Sequence, residues 1–214
     1  MKTQFTRQEV VHYEKKRYQG IDQKLVHARE NHILIKLFKK INKSTGLALD
    51  IPCGFGRFSK FFRERGFTLV SSDYSYQMVR RAVERLERDP IVLGIAADAK
   101  KNLPFRSNSF DVLLSMRFFH HVHEPEEREF ILREFARVSQ NWIVISYYQT
   151  NFLHQLQRKI RKILRKSQAD IKMISRKELK SLLEEAGLSL AKVIPLLKGI
   201  HAQNIALIFK LDHL

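Results

Sequence analysis

Cysteine occurs once in this chain of 214 residues, and tryptophan once. A single cysteine cannot close a disulfide framework or build a cysteine-rich zinc site. Stability must then come from a hydrophobic core. At 214 residues and a 44% hydrophobic fraction, the chain is long and apolar enough to bury one in a single domain. The same fraction excludes disorder as the state of the whole chain. Long apolar runs are missing too, and no stretch approaches the roughly 20 residues that cross a bilayer as a helix. Residues 1–20 are polar and charged, unlike a secretory signal. A cytoplasmic protein is expected, with the inner membrane surface as a second possible place.

Acidic residues are scarce: 22, against 39 lysines and arginines, for a net charge of +17. The excess is concentrated. Residues 1–43 carry 11 basic and 4 acidic side chains, residues 154–180 carry 10 and 2, and the remainder sums to only +2. Two segments therefore hold the charge around a nearly neutral body. That suits an anionic partner such as nucleic acid, an anionic membrane surface or a phosphorylated substrate, and equally a merely solvated basic surface.

Glycine is sparse, yet two of the eight stand close together in Leu47-Ala48-Leu49-Asp50-Ile51-Pro52-Cys53-Gly54-Phe55-Gly56-Arg57-Phe58-Ser59. An apolar run, a tight turn and an amphipathic start read as strand, glycine loop and helix. Glycine lets backbone approach a ligand closely, and the helix start behind it offers free N–H groups. The third glycine of a dinucleotide fingerprint is replaced by Ser59. No Gly-Lys-Ser/Thr follows, which excludes a P-loop.

The pattern Leu-Asp-x-x-Cys-Gly-x-Gly-x-x-Ser instead resembles the first motif of class I S-adenosylmethionine-dependent methyltransferases, in their small-molecule branch. Pro52 departs from it by standing where that family usually has glycine. The next features arrive in the same order. Phe67 to Ser72 reads as a second strand ending at Asp73, 23 residues after Asp50. A carboxylate at that place accepts from ribose hydroxyls in dinucleotide sites, and the resemblance implies the same for S-adenosylmethionine, with Tyr74 beside it. A turn or helix-cap role for Asp73 is the alternative, although Ser75 can cap the helix. A third strand, Ile91 to Ala96, leads into Asp98 and Ala99, which the resemblance places on the adenine ring. Leu103-Pro104-Phe105 and Ser109 to Ser115 match the stretch before and along the family's fourth strand. Met116 to Val122 leaves that strand at the pocket. The implied cofactor set is Asp50, Ile51, Cys53, Gly54, Gly56, Asp73, Tyr74, Asp98, Ala99 and Met116.

Periodicity supplies the remainder. Residues 9–43 read as two helical pieces broken near Gly20, with Ile33, Leu34, Leu37, Phe38 and Ile41 on one face. Helices are expected over 57–65 and 75–88, another opening at Pro125, and one from a capping box at Ser175 to Glu178. A fifth strand is expected over 141–148, with two more over 188–197 and 204–211. Strands alternating with helices predict an α/β fold: a doubly wound, Rossmann-like, seven-stranded sheet with helices on both faces. The resemblance makes the last two strands a hairpin. Residues 1–43 are expected to form a basic helical cap, and the resemblance implies a methyltransferase domain over 44–214 with a basic amphipathic insertion at about 152–173.

Methyl transfer to a hydroxyl needs a base, and His120 and His121 follow the fourth strand. Only one of them is expected to face the pocket, and both could be structural. A metal reading of His120, His121, His123 and Glu124 has no i, i+4 histidine pair behind it, so no metal is expected. There is no Asp/Asn-Pro-Pro-Tyr/Phe after the fourth strand, so the resemblance does not extend to DNA amino-methylating enzymes. No Gly-x-Ser-x-Gly elbow is present. The basic segment 152–166 could lie on an anionic bilayer, hold RNA phosphates, or cover the acceptor pocket. Between 154 and 180 there are none of the aromatic side chains that RNA readers interleave with bases. The expected activity is methyl transfer from S-adenosyl-L-methionine to a hydroxyl or amine of a small or lipid-linked acceptor. RNA methylation, or a non-catalytic binding role on the same fold, are the alternatives.

Overall fold

The computed structural model describes residues 5–18, 20–86, 92–149, 171–199 and 201–211. Two helices come first, α1 (Arg7–Tyr18) and α2 (Ile21–Ile41). The stripe on α2 is the reason it exists as a buried helix: Ile33, Leu34, Leu37, Phe38 and Ile41 all face inward. Phe38 meets Phe61, Phe62 and Phe67 edge-on, at centroid distances of 4.9 to 5.8 Å. Edge-to-face rings add attraction beyond the area they bury.

The alternation that follows is β1 (Gly46–Asp50), α3 (Ser59–Arg63), β2 (Phe67–Asp73), α4 (Tyr76–Glu84), β3 (Val92–Ala96) and β4 (Phe110–Ser115). A 3-10 turn at Phe119–His121, α5 (Pro125–Val138) and β5 (Ser139–Tyr148) come next. Helix α6 (Arg176–Glu185) and the hairpin β6 (Leu188–Pro195) and β7 (Gln203–Lys210) complete the described chain. Seven strands form one sheet in the order β3-β2-β1-β4-β5-β7-β6. All pairings from β3 to β5 are parallel, and β7 runs antiparallel to both its neighbours. This is the doubly wound, Rossmann-like sheet with a terminal hairpin.

The sheet separates two cores. On one face α2 and α3 cover Ala48, Leu69, Val112, Leu114, Val144, Ile205 and Leu207. On the other, α5 and α6 cover Leu49, Leu113, Ile143, Ile145, Ala206 and Ile208. Adjacent strand residues thus fall in opposite cores, as a pleat with helices on both faces demands. Helix α4 sits close over β3 because position 94 is glycine; a Cβ there would lie 2.7 Å from Val79 Cγ1.

Some boundaries differ from periodicity. Helix α3 is a short piece of the expected 57–65, since residues 54–58 are consumed by the glycine turn. Strand β5 begins at Ser139 rather than 141, because Phe110 recruits Ser139 before a bulge in the β4–β5 register. Ser175 caps α6 as expected, its Oγ accepting from Glu178 N at 3.0 Å. The expected basic helix over 152–166 lies outside the described residues. Among the described residues, no helix is long and apolar enough to cross a membrane.

Candidate functional site

In the order 3-2-1-4-5 the chain reverses direction across the sheet between β1 and β4. Loops leaving those two strands go to opposite faces, which opens a crevice at their carboxyl ends. A cavity of about 760 Å³ lies there. The loop after β1 contributes Pro52, Cys53, Gly54, Phe55, Arg57 and Phe58. Asp73 and Tyr74 come from the end of β2, Met78 from α4, and Asp98, Ala99 and Lys100 from beyond β3. The chain beyond β4 adds Met116, Arg117, Phe118, His120 and His121, and Tyr148 closes the β5 side. Phe5 and Tyr13 reach over it from the amino-terminal region.

Backbone hydrogen bonds hold the glycine loop. Ile51 N donates to Leu114 O at 2.9 Å and Cys53 N to Ser72 O at 2.7 Å. Gly54 and Gly56 take φ of 53° and 78°, conformations that favour glycine. Their surroundings differ. A Cβ on Gly54 would meet nothing within 4 Å, whereas one on Gly56 would lie 2.8 Å from Ala82 Cα. Gly54 leaves backbone open to the cavity, and Gly56 lets the loop press onto α4. Gly56 is not among the residues that line the cavity.

Asp73 does two jobs. Its Oδ2 accepts from Gly54 N at 3.0 Å and its Oδ1 from Ser75 N at 2.9 Å. A carboxylate has about four acceptor sites, so these two bonds leave about two unused on a residue that lines the cavity. Burial raises its pKa, and the two backbone donors only partly offset that. Asp98 likewise makes a local turn, accepting from Lys100 N at 2.9 Å, and still lines the cavity. For both residues the turn role and the cavity position coexist.

Of the sequence-derived cofactor set, Cys53, Gly54, Asp73, Tyr74, Asp98, Ala99 and Met116 line the cavity. Asp50, Ile51 and Gly56 do not. Asp50 is 1% exposed, and neither carboxyl oxygen has a hydrogen-bond partner among the described residues. Burial, with Asp73 adding to it against the opposing pull of Arg57, pushes its pKa up to about 8. Burial thus favours the protonated form of Asp50 beneath the loop at neutral pH. Ile51 belongs to the core. Pro52, which is not in that set, does border the cavity. Cys53 is buried, and burial, with Asp73 and Asp50 nearby, pushes its thiol well above the ordinary range, which makes it no nucleophile.

Both histidines line the cavity, where one was expected. They occupy a 3-10 turn, whose successive side chains diverge by about 120° rather than the near-opposition of a strand. Their rings lie 4.1 Å apart, and the His120 ring is 4.4 Å from Tyr148.

Sequence reasoning missed the charged group behind the cavity. Glu30, from the middle of α2, is fully buried. It pairs with Arg57 of the glycine loop and accepts from Arg117 Nε and Gln203 Nε2, each at 2.9 Å. Burial raises its pKa, but the two guanidiniums prevail and hold it below the ordinary carboxylate value. His27 lies against Arg57, and burial followed by that positive charge lowers its pKa to about 4. One signal was present: position 30 continues the 33/34, 37, 41 stripe backward, so a carboxylate stood at a core position. A buried carboxylate there requires cationic partners.

Residues 49–141 match the profile of a family described as a methyltransferase domain. The matched span, under half of the chain, runs from the end of β1 into β5 and includes the cavity-lining residues from Pro52 to His121. A Hamiltonella defensa malonyl-[acyl-carrier protein] O-methyltransferase is 29% identical over 114 residues, 53% of this chain and 41% of that protein. An uncharacterized Methanocaldococcus jannaschii protein is 30% identical over 112 residues, 52% of this chain and 43% of its own. The matched stretch thus spans less than half the length of either curated relative. In structure, the chain resembles a Synechocystis magnesium protoporphyrin IX methyltransferase with bound SAH, at a TM-score of 0.76 and 16% identity over 94% of both chains. That likeness is one of fold.

Proposed function

We propose that this protein is an S-adenosylmethionine-dependent methyltransferase acting on a hydroxyl or amine of a small or lipid-linked acceptor. The observation that carries the proposal is convergence. One cavity gathers an open glycine turn, a carboxylate at the end of β2, a second beyond β3 and a histidine pair beyond β4. Those pieces come from distant parts of the sequence and meet only at the β1–β4 switch point. The family of the matched span and a fold neighbour crystallised with SAH support the same cofactor.

The residues present suit S-adenosylmethionine. Gly54 leaves room for backbone contact with the methionine part, Asp73 keeps two acceptor sites for the ribose hydroxyls, and Asp98 with Ala99 borders the space for adenine. Met116 and Phe118 supply an apolar wall. When bound, this cofactor supplies a methyl group on a sulfonium, an electrophile that needs no further activation. The protein's share is then orientation, exclusion of water and proton handling. A hydroxyl acceptor seated beside the 3-10 turn would give its proton to an imidazole nitrogen of His120 or His121, the two histidines that line the cavity there.

Calorimetric titration with S-adenosylmethionine and, separately, NAD tests the reading. Micromolar binding of the first and none of the second is expected. Asp73→Ala should weaken that binding more than about tenfold, since hydrogen bonds to a charged group contribute roughly 1.5–3 kcal/mol. Absence of S-adenosylmethionine binding would overturn the proposal in favour of the non-catalytic role.

A further inference from the structure

The cavity wall carries charges of both signs: Asp73 ends β2, Asp98 and Lys100 lie beyond β3, Arg57 comes from the loop after β1, and Arg117 stands beyond β4, beside β5. Arg117 is an odd residue to find there. It adopts φ 57°, and its backbone N donates to Ser146 Oγ of β5 at 2.6 Å. That held, left-handed backbone accompanies a side chain whose Nε is bound to fully buried Glu30 at 2.9 Å. The Nη1 and Nη2 groups make no hydrogen bond among the described residues, and Arg117 lines the cavity. Its side chain is only 15% exposed. The carboxylate that anchors it also pairs with Arg57, so one negative charge serves two positive ones. A mostly buried arginine side chain, anchored through Nε and with two unengaged nitrogens in a cavity wall, is a preorganised fork for a planar carboxylate.

We propose that Arg117 anchors a carboxylate carried by the methyl acceptor, and so selects acidic acceptors with an apolar body. This rests on the methyltransferase reading of the same cavity. Position assigns the anchor to the acceptor: Arg117 is three residues from His120 on the loop where the nucleophile must sit. The apolar body follows from the neighbouring walls, Phe118, Met116 and Phe58. The anchored carboxylate is a handle rather than the attacking group, because a guanidinium bound to an oxygen draws electron density from it. The nucleophile is a second group on the same acceptor, within reach of the histidine pair.

The test uses the full chain saturated with SAH. Octanoate, benzoate and 3-phenylpropanoate, each with its primary amide, are titrated calorimetrically into wild type, Arg117→Met and Arg117→Lys. At least one carboxylate should bind about tenfold or more tightly than its amide. Arg117→Met should abolish that preference, and Arg117→Lys, with charge but no fork, should keep only part of it. SAH affinity should change less than about threefold in all three proteins, a readout that also reports intact folding. If none of the carboxylates binds, or acid and amide bind alike, the inference is overturned. It is also overturned if Arg117→Met leaves the acid preference intact while weakening SAH, which would place the fork on the cofactor. Failure of wild type to bind SAH would overturn the methyltransferase reading itself, and the inference with it.

Discussion

Replacing Glu30 with glutamine removes a negative charge from the interior while preserving shape. The wild-type carboxylate is fully buried, and the guanidinium-bearing side chains it holds are 11% and 15% exposed. Its three neighbours, Arg57, Arg117 and Gln203, are all donors. The new amide NH2 therefore faces donors, and two arginines lose their shared counter-charge. Removing one partner of a buried ion pair typically costs about 3–5 kcal/mol. Both guanidiniums retain some access to water, which puts the expectation at the lower end, about 3 kcal/mol. With a urea m-value of about 3 kcal/mol/M, suited to a chain of this size, the unfolding midpoint falls by about 1 M. The assay is urea unfolding followed by far-UV circular dichroism at several pH values. Glu30 titrates in the fold below its ordinary value of 4.5, the guanidiniums having overcome the effect of burial. Stability from a depressed carboxyl is present above the unfolded value and lost as pH falls through the folded one. The gap between wild type and Glu30→Gln should be whole at pH 7 and narrow well below pH 4.5. A midpoint shift smaller than about 0.3 M at pH 7, or a gap indifferent to acid, would refute the reasoning.

Gly56→Ala should be far more damaging than Gly54→Ala, although both positions have positive φ. The first adds a Cβ 2.8 Å from Ala82 Cα, the second adds one in open space. Thermal melting should show a fall of about 6–12 °C for Gly56→Ala, from about 2–4 kcal/mol of strain and overpacking, and roughly half that or less for Gly54→Ala. Asp50→Asn should match or exceed wild-type stability at pH 7. The stability tied to the protonated Asp50 carboxyl is whole below its ordinary pKa of 3.8 and is lost as pH rises to about 8. The variant should therefore gain on wild type across that window in denaturant titrations, and a constant difference would contradict it. His27→Gln should flatten the acid limb of the stability profile. His27 is held neutral down to about pH 4, while the unfolded chain takes up its proton near 6.5, so wild type loses stability between those values. Equal slopes for the two proteins between pH 6.5 and 4 would exclude His27 as the source.

The elements of the fold were legible wherever a period repeats. The α2 stripe, the apolar run of β1 and the Ser175 cap are local patterns that a helix or strand must satisfy on its own. The glycine turn was legible for the same reason, since a tight loop between strand and helix needs φ that few residues adopt. What blurred were ends set by a partner, such as the start of β5, which Phe110 dictates from another strand.

The site divides along the same line. Sequence alone determined the motif residues: Gly54, Asp73, Asp98 with Ala99, and the histidines after β4, each at the carboxyl end of its own strand. Tertiary structure alone decided which of them share the cavity. It sank Asp50 and Ile51 beneath the loop, turned Gly56 onto α4, and brought both His120 and His121 to the wall. It alone joined Glu30 to Arg57, Arg117 and Gln203, residues 27, 87 and 173 positions away along the chain. No local pattern encodes such a cluster. A buried charge chooses its partners through the space of the core, because only there does the cost of leaving water force opposite charges together.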